Sequence, residues 1–324
     1  MKKFTFMLGL LLASLVSVAQ ENVVNVPTAG TLQQVLEAEG LTRASDLTIT
    51  GELNGDDIRL IRAMAGGYFD VIPYLHVLRD KDYELAIEPM YTLKNLDLSG
   101  AKIVSGGDMY ALCSISSLWM DTAHYTADDV VGRVMFSYLA SLESLVLPQQ
   151  LTRIRRNAFY YSDLLSELEI PEGVKDIESG AFSCCANLKT LSLPSTLQTV
   201  DGHAFTNDNP EQCLSVLTVN AVEPPVVFSP ETNSSYFSFS DEFAERCSLV
   251  VPDESVEKYR EHPQWGRFRN IGSNKAPTAI QQVEQADAAA SAWYGCDGKQ
   301  LSAPAKGLNI VKMADGTVKK VIVR

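Results

Sequence analysis

The chain has 324 residues, with 27 Lys and Arg against 40 Asp and Glu, and a formal net charge of −13 at pH 7. That balance argues against nucleic acid or an anionic membrane as a principal partner. The length allows one or two domains, and a hydrophobic fraction of 46% is ample for a core.

In chain order, the first element lies outside any fold. Lys2 and Lys3 form a basic start, Phe4 to Val18 is almost wholly apolar, and Ser17-Val18-Ala19 supplies small residues for cleavage. This pattern predicts a secretory signal peptide over residues 1–19, too short to span a membrane with such flanks. Its removal near Ala19 takes away two bases and leaves 25 basic against 40 acidic side chains, a charge of −15. No cysteine follows the cleavage point to carry a lipid, and no later apolar run is long enough to span a membrane.

Residues 22–110 are expected to form an N-terminal cap with divergent repeats. Thr31-Leu32-Gln33-Gln34 has the spacing of a capping box, and Gly40 stands where such a helix would stop. Asp56 to Met64 puts Ile58, Ile61 and Met64 on one side of a second helix. Leu47-Thr48-Ile49 and Leu96-Asp97-Leu98 read as short strands.

From residue 142 the chain repeats itself every 23 residues. ESLVLPQQLTRIRRNAF (143–159), SELEIPEGVKDIESGAF (166–182) and KTLSLPSTLQTVDGHAF (189–205) keep their chemistry column by column. Leu142, Leu165 and Leu188 open each copy; Pro148, Pro171 and Pro194 follow its Leu-x-Leu or Leu-x-Ile pair; Phe159, Phe182 and Phe205 close it. Val131, Met135 and Phe136 are a worn fourth copy upstream. A fixed interval of this size marks a solenoid, whose units cannot bury their apolar faces alone. Leu-x-Leu has the period of a strand, and the proline, with no N–H to offer a ladder, ends it. The spacing of three between Val174 and Ile177 is read as a tight turn, and Ala-Phe as a stack in which each ring lies on the next.

Residues 111–271 are therefore expected to be the repeats with their C-terminal cap. Leu217-Thr218-Val219 and Leu249-Val250-Val251 continue the strands, Asp253 is placed as the cap of a short helix through Tyr259, and Trp265, Phe268 and Ile271 as a plug. Residues 272–292 lose all periodicity and read as a linker. In 293–324, three β-like runs flank Asp297-Gly298 and Asp315-Gly316, which are hairpin-turn dipeptides. Residues 299–324 carry six basic side chains against one acid.

The Leu-x-Leu-Pro…Ile…Ala-Phe unit resembles that of BspA-like leucine-rich repeat proteins, common on the surfaces of gut and oral anaerobes. LDLSGAKIV (96–104), NAVEPPVVF (220–228) and VPDESVEKYREHPQWGRF (251–268) are similar to that family as well. The resemblance implies an α/β repeat solenoid: a right-handed leucine-rich repeat coil with a parallel β-sheet face, a helical N-terminal cap and a small β tail. It also implies a secreted or cell-surface location on a Gram-negative bacterium. The tail is similar to a shortened type IX sorting domain, which implies outer-membrane association; a small structural module is the alternative. Only three clean coils are present, where longer relatives run many.

No catalytic, cofactor or metal signature emerges. His76, His124, His203 and His262 sit in no ligand spacing, Gly106-Gly107-Asp108 is too poor for a phosphate loop, and no GxSxG elbow occurs. Paired acids such as Asp128 and Asp129 read as solvated loop charges, and His203 as an exposed turn residue. The six cysteines, Cys113, Cys184, Cys185, Cys213, Cys247 and Cys296, show no metal pattern and read mainly as small buried residues, although export would permit disulfides. Asp121-Thr122-Ala123 resembles an O-glycosylation signal of these bacteria. Three features are candidates for binding. Ser144, Val146, Glu167, Glu169, Thr190 and Ser192 flank the strand leucines and project from the sheet. Tyr236, Phe237 and Phe239 interleave with serines in the loop 229–243, which is either a recognition surface or a folded-down insertion. Tyr160-Tyr161 adds exposed rings. The function expected is non-enzymatic binding of an extracellular protein or glycan, of adhesion type. An envelope structural component and a carbohydrate-active accessory with a loop-borne site are the alternatives.

Overall fold

The structure, a computed structural model, describes residues 22–68, 70–71, 87–115, 120–166, 168–206, 214–227, 239–274, 290–295, 300–301, 307–313 and 318–323. The signal-peptide residues and both expected hairpin-turn dipeptides of the tail lie outside this set. The chain divides into two units, Met1–Gly272 and Ser273–Arg324.

In the first unit, the 23-residue refrain becomes three parallel ladders. The first is made by the Leu-x-Leu strands. Val23–Val26, Asp46–Leu53, Asn95–Asp97 and Ser144–Val146 lie side by side, in the registers Asp46↔Asn95↔Ser144 and Leu47↔Leu96↔Leu145, with Ala101–Ile103 added along Gly51–Leu53. Thr190–Leu193, Val216–Val219, Ser248–Val251 and Asn270–Ser273 form the continuation. Between these two sheets the coil at 168–170 contributes the single bridge Glu169↔Ser192. The strands upstream and downstream of the clean copies thus join the same construction, across residue 110.

The second ladder corrects the reading of Val174 and Ile177. Val130–Val131, Arg153–Ile154, Asp176–Ile177, Thr199–Val200 and Val226–Val227 are two-residue strands paired in parallel, where the sequence suggested a turn. Two residues are too few for an alternation to show.

The third ladder runs through the Ala-Phe turns. Asn157, Phe159 and Tyr161 donate their N–H to Ser179, Ala181 and Ser183 of the next coil at 3.0, 2.8 and 3.2 Å, while Ala158 and Tyr160 close bonds within their own turn. This alternation uses left-handed residues at two columns per coil: Val134, Asn157 and Gly180, then Tyr138, Tyr161 and Cys184, with φ from 52° to 68°. Phe136, Phe159, Phe182 and Phe205 stack at successive centroid distances of 5.6, 5.3 and 5.8 Å. Every repeated apolar column is buried, in one core that extends from Val24 to Phe268. Each such side chain contributes roughly 1.5–3 kcal/mol.

Side chains finish what a missing neighbour would have supplied. Arg133, Met135 and Ser137 are the carbonyls of the first turn equivalent to those that accept from a preceding coil. The Tyr110 hydroxyl donates to Arg133 O at 2.6 Å, and Arg62 Nη1 donates to Met135 O and Ser137 O at 2.9 and 3.3 Å, and to Val134 O at 2.7 Å. Arg62 comes from the helix Gly55–Met64 and is buried. That helix begins with a capping box of Asn54 and Asp57, and Ile58, Ile61 and Met64 face the core as expected.

The helix Leu32–Glu39 ends at the left-handed Gly40, but Thr31 makes no side-chain cap. Its hydroxyl donates to Thr28 O, and the buried Asp57 carboxylate accepts from Gly30 N at 2.6 Å and Leu32 N at 2.9 Å. A charged acceptor from 25 residues away displaces the local box, aided by its favourable charge at a helix N-terminus. At the other end Trp265 and Phe268 are buried and Ile271 packs partly against the core. Asp253 is not a cap: it opens the 3-10 turn Asp253–Ser255, and the helix Val256–Glu261 starts behind it.

The second unit is a four-stranded antiparallel sheet in the order Gln300–Leu301, Ala290–Gly295, Gly307–Met313, Val318–Val323. Four strands stand where three runs were expected, and the first starts at Ala290, inside the expected linker.

Candidate functional site

The outer side of the first ladder carries an open groove of about 690 Å³, formed where strands point one side chain inward and the next outward. It crosses Ser144–Val146, Leu168 and Glu169, Thr190 to Ser192, and Thr218. Ser144, Val146, Glu169, Thr190 and Ser192 all line it, and Glu167 lies outside the described residues. Val146 is 42% exposed, and the exposed side chain of Glu169 has no hydrogen bond or ion pair among the described residues. Ser192 Oγ accepts from Asn220 Nδ2 at 3.2 Å.

Eight further residues line it: the strand leucines Leu145, Leu147, Leu168 and Leu191, and Gln149, Pro171, Glu172 and Thr218, which the sequence reading did not place on this face. Gln149 and Glu172 follow the strand-ending prolines, so extending the aligned columns by one or two residues would have found them. Gln149 Nε2 donates to Leu147 O at 3.0 Å, and Glu172 accepts from Ser195 N and Oγ at 3.0 and 2.8 Å, 23 residues on. Thr218 belongs to the next strand, in register with Ser192.

The loop candidates fare differently. Tyr236 and Phe237 lie outside the described residues. Phe239 is wholly buried, with Trp265 and Phe268 at centroid distances of 4.8 and 5.1 Å. It extends the phenylalanine stack past Phe205, at 6.4 Å, together with Phe243 at 5.7 Å, and so is core where a contact residue was expected. Tyr160 is buried and Tyr161 half-buried, both packed on Tyr138, which corrects their reading as exposed rings. Tyr160 shares its column with Ser137 and Ser183, and Tyr161 shares its own with Tyr138 and Cys184, on the coil's third side.

The markedly displaced titrating groups lie away from the groove. Burial lowers Arg62 to about 10 and His124 to about 4, and pushes the Cys185 thiol up to about 12. Burial raises Tyr110 and Tyr259 as well. His124 stacks on Tyr110 at 6.4 Å, Cys185 Sγ donates to Phe159 O at 3.0 Å, and the Tyr259 hydroxyl donates to Ala221 O at 2.8 Å. These are groups enclosed by the core. His203 lies in a turn, its Nδ1 3.5 Å from Asp201 Oδ1, and His262 Nδ1 accepts from Gln264 N at 3.2 Å; His76 lies outside the described residues. Cys113, Cys184, Cys185 and Cys247 are buried, and Cys213 and Cys296 lie outside the described set. Thr122 is on the strand Met120–Thr126, with its side chain outside that set. Among the described residues no three His, Cys, Asp or Glu converge as metal ligands, and no helix is long and apolar enough to cross a membrane.

Residues 126–223 match the family of the BspA type leucine rich repeat region, in six copies. The repeats of this chain are thus leucine-rich repeats of that type, in a solenoid-like fold with parallel sheets. No curated protein matches the chain.

Proposed function

We propose that this is a non-enzymatic secreted or cell-surface protein that holds an extracellular protein or glycan in the groove, an adhesion-type role. The observation that carries the reading is the groove itself: open, on the outward face of the ladder, lined by short hydroxyl side chains with Val146 and the partnerless Glu169 exposed. Short polar side chains on a rigid sheet give a surface that binds without reorganising. Export through the signal peptide, a right-handed coil with the two N-terminal helices as its cap, and outer-membrane association through the C-terminal sheet complete the proposal.

The test is to probe arrays of extracellular matrix proteins and glycans with the full mature chain and with Val146→Arg, which fills the groove with a long charged side chain. A specific ligand that the variant binds at least tenfold more weakly supports the reading. A ligand held equally by both chains removes the groove from it. Removal of 290–324 is expected to release the protein from outer-membrane fractions while leaving that ligand bound.

A further inference from the structure

We propose that the groove takes an extended segment of polypeptide bearing Lys or Arg side chains; this rests on the reading of the groove as the binding site. Two observations point to that chemistry. The first is the charge of the outward positions. Reading across the ladder, Asp46, Asn95 and Ser144 share one row, and Thr48, Asp97 and Val146 share the next. Glu169, Ser192 and Thr218 form a row beyond the break between the sheets. Thr190, Val216, Ser248 and Val250 lie outward in the continuing sheet, and on the strand added along Gly51–Leu53 Lys102 is outward and exposed beside Glu52. Among these described positions stand four carboxylates, with hydroxyls and an amide, and one Lys, Lys102, which does not line the groove. Lys94 and Lys189 precede strands, neither lines the groove, and Lys94 is engaged by Glu143 at 3.0 Å.

The second observation is the groove's shape and lining. Four successive coils cross it, and at the usual strand spacing of about 4.8 Å they give a floor about 14 Å across, which matches about four residues of extended chain at about 3.3 Å each. A sugar would be gripped through ring stacking as well as hydrogen bonds, and no aromatic side chain lines this groove. Hydroxyls, Gln149 and two carboxylates line it beside Val146, Pro171 and the strand leucines. The partnerless Glu169 carboxylate would meet an ammonium or guanidinium, Val146 the methylene stem behind it, and Ser144, Thr190 and Thr218 the peptide groups between. Asp97 stands directly beside Val146 in the ladder and widens the negative field on that side.

The experiment uses the full mature chain and three fluorescein-labelled twelve-residue peptides that alternate serine with lysine, glutamine or glutamate, followed by anisotropy at 0.15 M salt. The lysine peptide is expected to bind, the other two at least tenfold more weakly. Glu169→Lys should weaken the lysine peptide about tenfold, since charges within about 8 Å still act at that salt. Glu39→Lys changes the net charge identically at an exposed helix end away from the groove, and should leave binding unaltered. Circular dichroism confirms that both variants fold. Equal losses in the two variants, or equal binding of lysine and glutamine peptides, overturn the proposal. If no peptide binds but an array ligand remains sensitive to Val146→Arg, the cationic partner is wrong and the groove stands. If Val146→Arg alters no ligand, the groove itself fails.

Discussion

The middle of the solenoid and its N-terminal approach solve the same problem by different means. In residues 126–206 each coil hands its backbone groups to the next: the carbonyls of Ser179, Ala181 and Ser183 meet N–H groups 22 residues earlier, and the phenylalanines stack ring on ring. In residues 22–115 the first ladder continues, but the third has no earlier coil to draw on. Arg62 and Tyr110 stand in, and a carboxylate, Asp57, caps the start of the first helix. A repeat can be satisfied by the backbone; the end of a repeat must be satisfied by side chains, each chosen for one place.

Substitutions centred on four positions, Phe182, Arg62, Gly180 and Arg153, break or sharpen that contrast. The largest effect is expected in the middle. Phe182→Ala removes a ring held between Phe159 and Phe205 and should cost about 3–5 kcal/mol in urea unfolding. Next comes the end: Arg62→Met keeps the volume but strands several buried carbonyls, for a loss of about 3 kcal/mol. Amide exchange should then quicken at 134–138 before it does at 180–184. Arg62→Lys should recover only part of the loss, because a point charge cannot reproduce the planar fork.

A smaller effect tests the left-handed columns. Gly180 has φ 68°, and a Cβ there would lie 2.0 Å from Asn157 Oδ1. Gly180→Ala should cost about 1–3 kcal/mol, and less in an Asn157→Ala background, where the collision is gone and only the backbone strain remains. The smallest effect is expected from Arg153→Ala. Arg153 pairs with Asp176 of the next coil at 3.0 Å, but both side chains are partly exposed, and the loss should stay within about 0.5 kcal/mol. A loss of several kcal/mol there would mean that charge pairs, and not the ladders, hold the coils together.

Much of the fold was legible because periodicity is a local property that burial imposes on every copy alike. Leu145, Leu168 and Leu191 had to be apolar for one reason, and so had Phe159, Phe182 and Phe205; their outward neighbours Ser144, Val146, Glu169, Thr190 and Ser192 followed from strand alternation alone. The site was legible to the same extent, as a face, without its edges at Gln149 and Glu172.

What the sequence alone determined about this protein is the 23-residue coil, the inward columns and the side of each strand that meets solvent, since all of these depend on spacing within a single copy. Only the tertiary structure decided that Phe239 is core, that Asp57 and not Thr31 caps the start of the first helix, and that Arg62 completes a turn 72 residues away. Those contacts occur once, between residues far apart in the chain, and a bond made only once leaves no period to read.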